Sequence, residues 1–164
     1  SGGVGTFAVQ IAKAFGAEVT GVCSTRNIEI LRSIGADHII DYTKERLTQY
    51  QEDYDLVLGV NGSNSISAYK RILKPNGNFV HVGGSESQLY QTLFLGPFIS
   101  MAGSKKLSSL LQRANQKDLN DLKELLETNK VKPIIDKRFN LGEITEAFKY
   151  FQEGHAQGKV VITI

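Results

Sequence analysis

A glycine-rich turn at the start of the chain leads directly into a helical pattern, and this feature constrains the fold more than any other. The turn reads Ser1-Gly2-Gly3-Val4-Gly5, and glycines at such a turn let the backbone approach a pyrophosphate group closely. The N–H groups at the start of the following helix attract the same group. The turn therefore predicts the second half of the dinucleotide-binding fingerprint G-x-G-x-x-G. We expect its first glycine, and the central first strand of the sheet, to precede Ser1 in a longer protein.

Helical and strand patterns alternate along the rest of the chain. Gly16 ends the first helix, whose apolar residues are predicted to share one face: Val4, Phe7, Ala8, Ile11 and Phe15. A buried strand is predicted at 18–23, and further strands at 37–41, 54–60, 78–82, 104–113 and 159–164. Helical segments are predicted at 26–34, 44–50, 66–73, 117–128 and 143–153, with a turn at 75–77. This alternation predicts an α/β fold with a parallel sheet.

Composition and charge exclude several classes of protein. The 164 residues suffice for one domain with a core, and contents of 41% apolar and 22% charged residues are ordinary for a globular protein. A formal net charge of +2 gives no indication of a nucleic-acid or membrane partner. The single cysteine, Cys23, excludes an internal disulfide, and no apolar run is as long as a membrane span. We therefore expect a protein of the reducing cytoplasm.

Motifs that are weak singly occur in a fixed order along nearly the whole chain. They are Ser1-Gly2-Gly3-Val4-Gly5, Gly35-Ala36-Asp37-His38-Ile39-Ile40-Asp41-Tyr42, Leu73-Lys74-Pro75-Asn76-Gly77, His81-Val82-Gly83-Gly84 and Gly154-His155-Ala156-Gln157-Gly158-Lys159-Val160-Val161. In this combination the chain resembles the nucleotide-binding part of the medium-chain dehydrogenases/reductases. The most similar branch is the zinc-independent quinone oxidoreductases, also called the zeta-crystallin-like group.

The resemblance implies a fold and a domain division. The fold would be a Rossmann-type, doubly wound parallel sheet that lacks its first strand and the N-terminal GroES-like catalytic domain of the family. Residues 1–130 would form the NADP-binding Rossmann domain, cut at its phosphate loop. Residues 131–164 would return toward the missing catalytic domain.

The loop after the strand at 18–23 indicates which nucleotide binds. This strand is the second of the fold when the strand expected before Ser1 is counted. Enzymes that prefer NAD usually carry an acid there for the ribose 2′-hydroxyl, whereas this chain has no acid between Glu18 and Glu29. Hydroxyl groups and a guanidinium suit the 2′-phosphate of NADPH instead. By resemblance Ser24 and Tyr42 contact that phosphate, and Arg26 and Asn27 assist. The alternative is that Ser24 caps a helix and Tyr42 packs at a strand end.

Further residues are assigned to the cofactor by position or by resemblance. Open α/β sheets bind ligands at the carboxyl ends of their strands, so Asn61, Gly83 and Gly84 would lie near the nicotinamide. Phe94 matches a loop that approaches the nicotinamide in relatives, with core packing as its alternative. The glycine turn contributes Ser1, Gly2, Gly3 and Val4 to the pyrophosphate site.

The chain shows no catalytic constellation of its own. One cysteine and three histidines lack the spacing of metal ligands, so we predict no metal site. No Ser/His/Asp arrangement indicates a nucleophile, and we assign no catalytic residue. The resemblance implies hydride transfer from NADPH to a quinone or to an α,β-unsaturated carbonyl. We expect this chain by itself to bind the cofactor without being a competent enzyme.

Two alternatives come from other classes of protein. A non-catalytic nucleotide-binding or dimerisation module would pair an edge strand near 104–112 with a second copy, because an unprotected edge invites pairing. A methyltransferase also carries a motif like the one at 73–77. Its S-adenosylmethionine site usually needs an acid for the ribose, and residues 24–26 supply none.

Overall fold

A computed structural model of the chain describes residues 2–50, 54–62, 64–83, 104–110, 113–154 and 156–164. The chain divides into two compact units, one formed by 1–44 together with 114–164 and the other by 45–113. In the described residues every strand pair is parallel. The predicted α/β class is therefore confirmed. None of the helices in these ranges is long and apolar enough to cross a membrane.

The first unit opens with the helix that follows the glycine turn. Its first elements are α1 (Gly5–Ala14), β1 (Thr20–Cys23), a 3-10 turn (Thr25–Asn27), α2 (Ile28–Ser33) and β2 (His38–Asp41). Gly16 ends α1 with a φ of 78°, a conformation that glycine adopts without strain. The N–H of Gly16 binds the carbonyl of Lys13, and the N–H of Ala17 binds that of Ala12. This is a Schellman motif, and it confirms the predicted end of the helix.

The predicted apolar face of α1 is wrong at both ends, whereas Phe7, Ala8 and Ile11 are half-buried. Val4 and Phe15 are 54% and 79% exposed, whereas the buried residues of the helix are Thr6, Val9 and Gln10. Thr6 and Gln10 lie on the buried side of the helix because their hydrogen-bonding partners, the backbones of Gly2 and Lys132, lie there. Val9 packs with Cys23 and Leu31 in the core of this unit. The strand predicted at 18–23 is present as β1, but it is not buried throughout, because Val22 is 44% exposed.

Close packing between β1 and α2 leaves no room for a side chain at Gly21. A Cβ built there would lie 2.6 Å from Cδ1 of Leu31, and Leu31 is fully buried. We expect Gly21→Ala to lower the free energy of unfolding by about 1–2 kcal/mol through overpacking. Gly142→Ala is the matched control, because nothing lies within 4 Å of a Cβ at that position. Equal urea midpoints for the two variants would contradict this packing.

The later part of the first unit is a β-α-β arrangement preceded by a helix. Its elements are α4 (Gln116–Glu127), β6 (Ile135–Asn140), a 3-10 turn (Leu141–Glu143), α5 (Ile144–Gln152) and β7 (Lys159–Thr163). The side chain of Asn115 caps α4 by accepting from the N–H of Asp118 at 2.9 Å. Strands β6 and β7 pair in parallel, with α5 as the connection between them. The predicted helices and the final strand in this region are confirmed within a few residues.

Gln10 joins α1 to the chain that leads into β6. Its Nε2 donates to the carbonyl of Lys132 at 2.9 Å, and its Oε1 accepts from the N–H of Lys132 at 2.8 Å. Nε2 also donates to the carbonyl of Thr6. The first unit thus contains residues from both sides of the predicted boundary near Lys130. The division into a domain at 1–130 and a return segment at 131–164 stays a prediction.

The second unit is a parallel sheet with one helix described against it. Its elements are a 3-10 turn (Leu47–Gln49), β3 (Tyr54–Val60), α3 (Ile66–Ile72), β4 (Leu73–Val82) and β5 (Lys106–Ser109), with the strands in the order β3-β4-β5. Ser65 caps α3 by accepting from the N–H of Ala68. Tyr69 on α3 stacks on Phe79 of β4, with ring centroids 4.5 Å apart. This stack lies among the buried residues of the unit.

The turn predicted at Pro75-Asn76-Gly77 has the expected backbone but a different place in the fold. Asn76 has a φ of 65°, a left-handed conformation typical of turns. The turn does not precede the strand, however, because β4 already begins at Leu73. It forms an irregularity at which the pairing with β3 shifts from Tyr54–Leu73 to Leu56–Asn78.

Candidate nucleotide-binding site

The N-terminus of α1 has the electrostatic character of an anion site. Val4 is the N-cap and makes no side-chain capping bond, and the first turn of the helix has no acidic residue. The partial positive charge of the helix N-terminus is therefore not balanced by side chains of this turn. Thr6 holds the turn in shape, because its N–H and its Oγ1 both donate to the carbonyl of Gly2, at 3.1 and 3.0 Å.

The 156–159 segment, which leads into β7, lies against the glycine turn. A Cβ at Gly3 would lie 3.1 Å from Nζ of Lys159 and 3.3 Å from the carbonyl oxygen of Gly158. A Cβ at Gly2 would lie 3.5 Å from the carbonyl oxygen of Ala156. The ammonium of Lys159 also lies over the ring of Phe7, 5.5 Å from its centroid. Backbone carbonyl groups and the ammonium of Lys159 thus lie beside the turn, and Lys159 is a candidate site residue that sequence reasoning did not assign.

Ser24 and Tyr42 lie at neighbouring carboxyl ends of β1 and β2. The last residues of the two strands, Cys23 and Asp41, are register partners, and the N–H of Tyr42 donates to the carbonyl of Cys23 at 3.0 Å. In the described part of the chain the Ser24 side chain makes no capping hydrogen bond. The side chain of Tyr42 is 62% exposed. Ser24 is thus the N-cap residue of the 3-10 turn without a side-chain capping bond, and Tyr42 follows the end of β2 with an exposed side chain. The assignment of both residues to the phosphate stays a prediction.

Asp41 connects the loop after β1 to the loop after β2 through hydrogen bonds, a role that sequence reasoning missed. Thr25 Oγ1 donates to Asp41 Oδ2 at 2.5 Å, and Thr43 Oγ1 donates to Oδ1 at 2.6 Å. The N–H of Thr43 adds a further bond to Oδ1. The hydrogen bond from Thr25, followed by those from Thr43, lowers the pKa of the buried Asp41 carboxyl to about 2. The signal for the second loop is the Asp-x-Thr spacing, in which an aspartate binds the residue two positions later.

We expect Asp41 to make the stability of the protein depend on pH in the acid range. Its pKa is lowered from 3.8 to about 2 on folding, so its contribution is present above about pH 4 and is lost as the pH falls to about 2. Asp41→Asn should therefore be less stable at neutral pH and should show a flatter acid profile. Urea midpoints between pH 2 and 7 measure both effects. Glu146→Gln, on exposed α5, is the control, and an unchanged profile in Asp41→Asn would contradict the role of this carboxylate.

Arg26 and Asn27 take different positions in the loop after β1. Arg26 is exposed, whereas Asn27 is buried. The side chain of Gln157 donates to Asn27 Oδ1 and to the carbonyl of Arg26. The structure therefore brings Ser24, Asn27 and the 156–159 segment together. The link through Gln157 has no local sequence signal, because it spans 130 residues.

Asn61 and Gly83 are neighbours in the second unit. They follow directly after β3 and β4, and the N–H of Asn61 donates to the carbonyl of Val82 at 3.3 Å. Both residues are exposed and have positive φ, 50° for Asn61 and 63° for Gly83. Both therefore lie at the carboxyl edge of a parallel sheet, as predicted. The remaining predicted site residues, Ser1, Gly84 and Phe94, lie outside the described residues.

Comparison with known proteins identifies the class. Residues 34–162 match the family described as zinc-binding dehydrogenase. The chain is 34% identical to the mitochondrial NAD(P)H oxidoreductase RTN4IP1 of Bos taurus, covering all of this chain and 46% of that protein. It is 32% identical to the chloroplastic quinone-oxidoreductase QR1 of Triphysaria versicolor, over 99% of this chain and 50% of that protein. The quinone oxidoreductase structure from Coxiella burnetii superposes with a TM-score of 0.82 at 28% identity, over 99% of this chain and 50% of that one.

The chain belongs to the zinc-binding dehydrogenase family of the medium-chain dehydrogenases/reductases. Similar proteins within that family are quinone oxidoreductases, as the sequence motifs predicted. The chain spans about half the length of the curated relatives it matches. The Rossmann-type α/β fold predicted from the resemblance is likewise confirmed.

The family name refers to zinc, which proteins bind through converging His, Cys, Asp or Glu side chains. No three side chains of His, Cys, Asp or Glu converge within these ranges. Cys23 lies in the core, where burial raises the pKa of its thiol and disfavours the thiolate that binds zinc. His81 is buried, and His38 lies at the surface with Nε2 2.7 Å from Oε1 of Glu18. These residues do not fit a zinc site.

Proposed function

We propose that the chain is the cofactor-binding part of an NADPH-dependent oxidoreductase that reduces a quinone or an α,β-unsaturated carbonyl. The main support is the chemistry at the carboxyl edge of β1 and β2. Ser24, exposed Arg26 and exposed Tyr42 offer hydroxyl and guanidinium donors there. The carboxylate at this edge, Asp41, already accepts hydrogen bonds from Thr25 and Thr43.

This chemistry favours a phosphate over a ribose hydroxyl. A carboxylate that binds the 2′-hydroxyl of NADH has to direct lone pairs toward the ribose, whereas Asp41 already accepts three hydrogen bonds within the two loops. A 2′-phosphate forms charge-assisted hydrogen bonds with hydroxyl and guanidinium donors, which are stronger than neutral ones. We therefore propose Ser24, Arg26 and Tyr42 as the direct contacts to this phosphate. Asn27 supports the loop that carries two of them.

The other end of the cofactor is assigned by the same proposal. The turn with Gly2, Gly3 and Val4, together with Ser1, binds the pyrophosphate at the N-terminus of α1. For the nicotinamide end the proposal keeps the residues predicted from the sequence, Asn61 and Gly83 together with Gly84 and Phe94, the last two of which lie outside the described residues. When bound, NADPH supplies the hydride, and the residues of this chain bind and orient it. The names of the relatives support a nicotinamide cofactor and a quinone substrate, since one is an NAD(P)H oxidoreductase and others are quinone oxidoreductases.

Titration of the purified chain tests this proposal. NADPH, NADH and S-adenosylmethionine are added separately, and reduced-nicotinamide fluorescence and thermal stability are measured. We expect NADPH to bind at least about 10-fold more tightly than NADH, which corresponds to about 1.4 kcal/mol. A ligand that binds only the folded state also raises the apparent stability. Equal affinities for NADPH and NADH, or a response to S-adenosylmethionine alone, would overturn the assignment.

A non-catalytic module that dimerises through an edge strand is the second candidate. Strand β5 is the last in the order β3-β4-β5 of the described sheet, and Leu110 directly after it is exposed. Pairing with a second copy would extend the described sheet beyond β5. Light scattering during size exclusion tests this function, because a monomer at high protein concentration contradicts it.

We also propose a cytoplasmic location, because the single cysteine, Cys23, is a free thiol, as is usual in a reducing compartment. The names of two relatives place those proteins in the mitochondrion and the chloroplast. Fractionation of cells that express the full-length protein tests the location. Recovery in an organelle fraction would contradict it.

A further inference from the structure

Gln157 lies between two parts of the first unit that are far apart in the sequence. Its Nε2 donates to Oδ1 of Asn27 and, at 3.3 Å, to the carbonyl of Arg26. Asn27 is 6% exposed, and Gln157 is half-buried. The amide of Gln157 therefore holds the 24–27 loop, which carries Ser24 and Arg26, from the side of the C-terminal segment.

The position of Gln157 is itself fixed by a second set of bonds. Its backbone N–H donates to Oδ2 of Asp136 at 3.0 Å, and the hydroxyl of Tyr150 donates to the same oxygen at 2.6 Å. Asp136 lies on β6 and Tyr150 on α5, so both elements restrain the segment at residue 157. The hydrogen bond to Asp136 also raises the pKa of Tyr150, which keeps this phenol protonated as a donor. Gln157 is thus anchored on one side and donates to the loop on the other.

The bonds to the loop act on its backbone as well as on a side chain. The 3-10 turn Thr25–Asn27 contains the N–H of Asn27, which donates to the carbonyl of Ser24 at 2.9 Å. Asp41 restrains the same turn from β2 through the hydroxyl of Thr25. Gln157 supplies the opposite restraint, at Arg26 and Asn27. The loop is therefore restrained both from β2 and from the C-terminal segment.

We propose that Gln157 is a positioning residue for recognition of the cofactor 2′-phosphate, acting through Asn27 and the backbone of the 24–27 loop. This inference rests on the proposed function, since it requires that Ser24 and Arg26 bind that phosphate. A preorganised loop loses less conformational entropy when the phosphate binds. Loosening the loop raises the cost of binding NADPH. NADH lacks the phosphate that these donors would bind, so its affinity should depend less on the loop.

The test compares Gln157→Met, which keeps the length of the side chain but removes its donors, with the wild-type protein. We expect the dissociation constant for NADPH to rise about 5- to 10-fold, in line with the loss of about 1 kcal/mol per hydrogen bond. The dissociation constant for NADH should stay within about twofold of the wild-type value. The reason is that NADH lacks the 2′-phosphate that the loop would bind. Gln152→Met is the matched control, because it removes an exposed glutamine from the end of α5. A purely structural role for Gln157 would weaken both nucleotides equally and would overturn the proposal.

Two further variants keep the test decisive. Gln157→Asn retains the donors but is one methylene shorter, so it should show the same selective loss of NADPH affinity even where the methionine variant folds poorly.

Asn27→Ala combined with Gln157→Met should weaken the binding of NADPH by less than the product of the two single effects, because the residues act through one bond. Independent effects would overturn the route through Asn27. Wild-type protein that fails to discriminate NADPH from NADH overturns the proposed function itself, whereas discrimination that survives in every Gln157 variant overturns only this inference.

Discussion

Ser24→Asp is expected to abolish the preference for NADPH. The new carboxylate would face the 2′-phosphate at the carboxyl edge of β1 and would replace a hydroxyl donor by a like charge. Loss of a charge-assisted hydrogen bond together with this repulsion should weaken NADPH by about 100-fold, or nearly 3 kcal/mol. NADH should bind as well as before or better, because a carboxylate at this position suits the ribose 2′-hydroxyl. Fluorescence titration with both nucleotides measures the change.

Two serine variants separate charge from geometry in this experiment. Ser24→Ala removes only the hydroxyl and should weaken NADPH by about 3- to 10-fold. Ser33→Asp places the same charge on the exposed surface of α2 and should leave both affinities within about twofold, since surface charges are screened. If Ser24→Asp bound NADPH as the wild type does, Ser24 would not contact the 2′-phosphate.

Gln10→Leu is expected to give the largest loss of stability among the changes considered. Gln10 is buried and closes a pair of hydrogen bonds with the backbone of Lys132, and a third with the carbonyl of Thr6. Leucine would leave the N–H and the carbonyl of Lys132 without these partners. The free energy of unfolding should fall by about 2–3 kcal/mol. The melting temperature should then fall by roughly 4–12 °C for a chain of this size.

Gln116→Leu provides the control for this change. Gln116 lies at the exposed start of α4, so its replacement should change the free energy of unfolding by less than about 0.5 kcal/mol. Urea unfolding of the wild type and the two variants gives the comparison. Equal stabilities for Gln10→Leu and Gln116→Leu would show that the bonds to Lys132 are exchanged for bonds to water at no cost.

Most helix and strand positions, and the family, could be predicted from the sequence. The helix endings at Gly16 and Gly35 were readable because both positions need a positive φ, which glycine adopts without strain. The strand at 54–60 was predicted with its observed bounds, because its apolar run lies between polar segments. The order of short motifs identified the family. Each of these signals lies within a few residues, where backbone preferences act directly.

The tertiary structure alone decided which side chains join the proposed site. Helical periodicity placed Phe15 on the buried face of α1, but the buried side includes Gln10, which binds a backbone 122 residues away. Likewise the sequence does not distinguish Asp41 from the other acidic residues. The pairing of β1 with β2 places Thr25 beside it. Gln157 can donate to Asn27 only because the chain returns to that loop 130 residues later. Buried polar groups must find partners wherever the fold brings them, and partners distant in sequence leave no local pattern.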